Sequence, residues 1–111
     1  MGLGRRSGVE GPAARRAALL AELRRVVFEA PARSGAAVRA AAASDGPLAE
    51  PLRSYAAKVR DESYRVTDAD VAELRAVGVS EDEIFEITVA AALGAACHRL
   101  DAGLRVLREE A

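Results

Sequence analysis

Apolar residues recur at helical spacing along most of this chain, and the pattern predicts five helices. Pro12 suits a first helical position. Behind it Leu19, Leu20, Leu23, Val26, Val27 and Ala30 form one stripe, with Arg15, Arg16, Arg24 and Arg25 largely off it, up to Pro31. This predicts a helix over 12–30 with a solvated basic face. Ser34-Gly35 breaks the chain, and an alanine-rich run predicts a short helix over 35–44. Asp45-Gly46-Pro47 reads as a turn. Leu48, Leu52, Tyr55 and Val59 then share one face of a helix over 48–62, with Pro51 tolerable only in its first turn.

Two helix starts follow in close succession. Thr67 with Asp70, and Ser80 with Glu83, each have the spacing of a capping box, in which hydroxyl and carboxylate satisfy orphan backbone N–H groups. Gly78 between them can end a helix in the left-handed conformation. The pattern therefore predicts a short helix over 67–77, with Val71, Leu74 and Val77 facing inward, and a long one over 80–109. Glu81, Asp82 and Glu83 in the first turn suit the helix dipole. From Ile84 to Cys97 the last helix is apolar almost all round, interrupted by Glu86 and Thr88, which predicts burial on every side. Beyond it Leu93, Cys97, Leu100, Leu104 and Leu107 follow the spacing of a helix–helix seam, and Gly94 and Gly103 suggest close backbone approach.

Composition changes this picture only in detail. The 111 residues suffice for one modest core, with 50% hydrophobic but only 4% aromatic residues. Alanine, the strongest helix former, supplies much of the apolar content, while Val, Ile and Thr are too scattered for a sheet. The expectation is an all-α, single-domain helical bundle over 12–111, preceded by a Gly-rich disordered tail over 1–11. A net charge of −1 argues against binding nucleic acid by phosphate neutralisation. The apolar run is too short for a bilayer, and Arg5-Arg6 has no apolar stretch behind it, so neither a membrane span nor a secretory signal is expected. Cytoplasm is the default compartment. The single cysteine, Cys97, excludes an internal disulfide framework and a multi-cysteine metal site. No cofactor or metal is expected.

The segment from Leu48 to Leu107 resembles the alkylhydroperoxidase D / carboxymuconolactone decarboxylase superfamily. The resemblance rests on a helix, then LRAVGVSEDEIFEI, then a long alanine-rich helix ending ALGAACHRLDAGLRVL. It implies an all-helical core over 48–111 that assembles as trimers or hexamers. Redox members carry C-x-x-C-x-x-x-H before the position of Gly78, and an upstream glutamate. Carried over, the cysteines fall at Ser63 and Val66, the histidine at Asp70 and the glutamate near Glu50. Peroxide reduction needs one thiolate to attack and a second thiol to resolve the sulfenic acid. Neither is present there, so the resemblance is to a branch without the redox-active cysteine pair.

Other candidates are few. Cys97 and His98 are adjacent, and neighbours on a helix point about 100° apart, so they do not form a nucleophile–base pair. Cys97 reads as a core residue. Glu86 sits inside IFEITVAAAL, where a charge is costly unless paired. It has three readings: a structural carboxylate paired with Arg60, Arg65 or a tyrosine hydroxyl, a functional carboxylate in a pocket with Tyr55 or Tyr64, or a rim residue. A helix-turn-helix reading of DVAELRAVGVSEDEIFEI fails because Glu81, Asp82, Glu83 and Glu86 occupy the recognition helix. A ubiquitin-associated domain fails because the second helix runs far past the turn. Two functions remain. One is a non-redox homo-oligomeric binding or scaffold protein, trimer or hexamer before dimer, with any small-molecule ligand unidentified. The other is a decarboxylase- or isomerase-type enzyme on a small organic acid, using Glu86.

Overall fold

The computed structural model describes residues 11–110, with side chains up to Arg108. Most of the expected tail, residues 1–10, lies outside them. Among the described residues there are five α-helices and no strand: α1 (Pro12–Phe28), α2 (Ala36–Ser44), α3 (Leu52–Glu62), α4 (Asp68–Ala76) and α5 (Glu81–Glu110). A single 3-10 turn, Ser63–Arg65, joins α3 to the approach of α4.

Local chemistry sets most boundaries. Thr67 and Asp70 form the expected capping box of α4. The Ser80 hydroxyl accepts from the Glu83 N–H at 3.2 Å, and the Glu83 carboxylate accepts from the Ser80 N–H at 3.0 Å, at the start of α5. Gly78 takes φ 94°, and the Val79 N–H reaches back to the Leu74 carbonyl at 3.1 Å, closing α4 with a Schellman motif. Two ends differ from expectation, each beside a proline. α1 stops at Phe28, because Pro31 biases the preceding residue away from helical geometry. α3 begins at Leu52 instead of 48, with Pro51 as its N-terminal neighbour.

The core gathers Ala42 from α2, Tyr55, Ala56 and Val59 from α3, Leu74 from α4, and Ile84, Ile87 and Ala91 from α5. Leu48, Leu52, Val38, Val66, Val71 and Val79 pack against it. Gly94 on α5 lets α2 come close: a Cβ there would lie 2.2 Å from the Ala43 carbonyl oxygen.

Three helix C-termini are closed by an arginine from another helix. Arg39 of α2 donates to the Val27 carbonyl at 2.7 Å and the Ala30 carbonyl at 2.6 Å, at the end of α1. Arg60 of α3 donates to the Ala42 carbonyl at 2.6 Å in the last turn of α2. Arg99 of α5 donates to the Arg60 carbonyl at 3.2 Å in the last turn of α3. Each cation satisfies carbonyls that a helix end leaves orphaned and faces the negative end of the dipole.

One expectation about burial is corrected, at Val77, and the apolar faces of α1 and α5 are covered only in part. The α1 stripe does not enter the core: α1 buries no residue, and Leu19, Leu23 and Val26 are exposed, because α1 makes few contacts with α2 and α5. Val77 also faces out, since the chain turns at Gly78 immediately after it. Finally, α5 is not enclosed on all sides. Ile84, Ile87, Ala90, Ala91 and Cys97 are buried, but Phe85 is 70% exposed, Ala92 and Ala96 are exposed, and Leu93 is half-buried. Among the described residues the four shorter helices cover one side of α5 and leave the other open.

Candidate functional site

Glu86 lies on α5 beside the loop that enters α2. Its carboxylate accepts three hydrogen bonds: from the Ser34 N–H at 2.7 Å, the Ser34 hydroxyl at 2.7 Å and the Arg33 N–H at 3.1 Å. Ser34 is buried at 5% exposure. The partners are therefore not Arg60, Arg65 or a tyrosine, as the sequence suggested. Arg60 is turned to Ala42 and Asp45, Arg65 pairs with Glu62, and Tyr55 bonds elsewhere. The Ser34 hydroxyl and N–H, then the Arg33 N–H and the charge of Arg39, hold the Glu86 carboxyl below its ordinary value against the opposing effect of desolvation. The negative charge also sits at the approach to the N-terminus of α2, where the helix dipole favours it.

The other candidates do not converge on it. The Tyr55 hydroxyl is 2.7 Å from the Thr88 Oγ1, and Thr88 also donates to the Ile84 carbonyl at 2.6 Å. Residues two apart on a helix face nearly opposite ways, so Thr88 draws Tyr55 away from Glu86. Tyr64 is 84% exposed on the 3-10 turn.

The positions that the resemblance assigns to redox chemistry have structural uses. Asp70 accepts from the Thr67 N–H at 2.8 Å and from the Lys58 ammonium at 3.0 Å. These bonds, the backbone one first, lower its carboxyl below the usual value. Val66 packs on the core, and its N–H donates to the Ser63 carbonyl at 3.2 Å. Glu50 accepts from the Ser54 N–H at 3.0 Å, in the first turn of α3, and Ser54 lowers its carboxyl too.

Cys97 is buried with a free thiol, and His98 next to it is exposed. A groove of about 610 Å³ passes both, between α1, α2 and α5, with Phe28, Ala40, Ala43 and Gly94 supplying apolar walls. Arg24, Glu29 and Asp101 line the same groove, mixing both signs of charge, and the Arg24 guanidinium stands 5.8 Å from the Phe28 ring centre. A smaller hollow of about 390 Å³ adjoins it across Gly94 and His98. Among the described residues no three His, Cys, Asp or Glu side chains are placed to hold a metal ion. No described helix is long and apolar enough to cross a membrane.

The sequence reading missed Ser34 and Arg39. Ser34 carried a signal, being a hydroxyl residue just before a helix start. Arg39 carried a second one, as the only charge between Arg33 and Asp45 in a run of alanines. Comparison with family models, with curated proteins and with solved structures finds no match to this chain.

Proposed function

We propose that this protein is a non-redox relative of the carboxymuconolactone decarboxylase / alkylhydroperoxidase D-like superfamily that acts as a homo-oligomeric binding or scaffold protein. One observation carries the reading. Glu86, the carboxylate with the strongest claim to chemistry, already accepts three hydrogen bonds from Ser34 and Arg33 and stands apart from both tyrosines. A general acid or base needs a free lone pair or proton directed at substrate. Glu86 instead joins α5 to the start of α2. The absent cysteine pair supports the same reading, as do the large apolar side chains exposed on α1 and on the outer side of α5.

The test has two arms. Peroxide turnover with a dithiol reductant is expected at the blank rate, unchanged by Cys97→Ser; turnover abolished by that substitution would overturn the non-redox reading. Light scattering across micromolar dilutions is expected to show an oligomer, weakened in Leu100→Glu. A monomer at every concentration would remove the scaffold reading.

A further inference from the structure

The open side of α5 runs the full length of the helix, about 45 Å for its 30 residues. Phe85, Val89, Ala92, Ala96, Leu100, Gly103 and Leu107 follow each other there in steps of three and four. None of these seven is charged, and none is buried. Phe85 is 70% exposed, Leu100 44% and Leu107 66%. Beyond Cys97 little of the helix is covered, and only Ala102 is half-buried up to Arg108. The two glycines of α5 divide the same way. Gly94, on the inner side, is pressed against Ala43, whereas a Cβ at Gly103 would meet nothing within 4 Å. A glycine inside a helix costs about 1 kcal/mol against alanine, and at Gly103 nothing among the described residues makes use of it.

The order of sizes along this face indicates what covers it. About a two-fold axis at Ala96, an antiparallel second copy places Phe85 opposite the partner's Leu107, Val89 opposite the partner's Gly103, and Ala92 opposite the partner's Leu100. Ala96 meets itself. Large residues meet small ones through the centre of the seam, as close packing requires. Other arrangements fit worse. An axis at Ala92 sets Phe85 against the partner's Arg99, and one at Leu100 sets Ala92 against the partner's Arg108. A parallel pair in register stacks Phe85 on Phe85 and Leu100 on Leu100 while leaving gaps at Ala92, Ala96 and Gly103.

We infer that two copies of this chain pair through the outer face of α5, antiparallel, about a two-fold axis at Ala96. This rests on the oligomeric reading above and names its contact. An isologous pair can stand alone as a dimer or be the repeating unit of a larger even assembly.

The test is disulfide trapping in a Cys97→Ser background, with Cys97→Ala as a second background should the first not fold, and with circular dichroism to confirm helix content. Ala96→Cys is expected to link most of the protein into dimers under mild oxidation by diamide, since a disulfide needs Cα atoms within about 7 Å. Ala92→Cys alone is expected to stay monomeric on a denaturing gel, because the two thiols lie about 12 Å apart along the seam. Val89→Cys mixed with Gly103→Cys is expected to give the cross-linked heterodimer that neither forms alone. Self-linking at Ala92→Cys as efficient as at Ala96→Cys would mean a parallel pair and overturn the inference. So would a folded, oligomeric Ala96→Cys variant that never links, or a trimer, which has no two-fold axis; these leave the oligomer itself standing. A wild-type monomer in light scattering would remove both.

Discussion

Glu86 shows how a residue with chemical promise can be occupied by architecture. Its three donors include the N–H and hydroxyl of buried Ser34, so an apolar replacement leaves those groups without a partner. Glu86→Leu is expected to destabilise the protein by about 1–3 kcal/mol, the usual cost of an unsatisfied buried polar group. Urea denaturation checks this; a neutral result would mean that water reaches Ser34 freely. The sequence marked Glu86 as anomalous because a lone charge stood in an apolar run. It could not supply the partner, because Ser34 lies 52 residues away and the pairing depends on how α2 crosses α5. Arg60 and Arg65 were plausible by charge alone, but Arg60 is committed to the end of α2 and Arg65 to Glu62.

At the scale of the element, capping chemistry was legible and burial was not. Both capping boxes and the left-handed Gly78 stand where their spacing placed them, because those bonds join residues three to five apart. The apolar stripe of α1 and part of the apolar surface of α5 stay uncovered, because periodicity reports which face is apolar, not what is available to cover it. The distinction has a measurable form on α5. Ile87 is 2% exposed, and Ile87→Ala is expected to cost about 2–5 kcal/mol in thermal or urea unfolding. Leu93, half-buried, is expected to cost less as alanine in a diluted sample than in a concentrated one, since dissociation exposes the rest of it. Gly94→Ala drives a methyl group onto the Ala43 carbonyl and is expected to cost about 1–3 kcal/mol. Gly103→Ala, with open space around it, should not destabilise the isolated chain.

For the whole molecule, four carboxylates at or near helix starts give stability a common pH dependence. Glu50, Asp70, Glu83 and Glu86 are each held below their ordinary values chiefly by hydrogen bonds at the starts of α3, α4, α5 and α2 respectively. A carboxyl lowered in the folded state binds its proton more readily when unfolded. Its stabilisation is fully present above the unfolded value, about 4 to 4.5, and is lost as pH falls through the folded value. The melting temperature is therefore expected to be flat on the near-neutral side and to drop steeply below about pH 4.5. Glu86→Gln, which keeps an acceptor but cannot titrate, should make that acid limb shallower. A limb of unchanged slope would show that Glu86 contributes nothing to it.

Arg39 has a consequence for the order in which the molecule comes apart. α1 buries no side chain, and its last carbonyls hang on this one guanidinium. Amide protons exchange with solvent through the cheapest opening that frees them, and segments with few buried contacts open first. Deuterium uptake should therefore reach the amides of α1 well before those of Ile84 to Ala91, in a separate phase. In Arg39→Ala that early phase should quicken by far more than the late one. Uptake in α1 that keeps pace with the core would mean that the helix never leaves on its own.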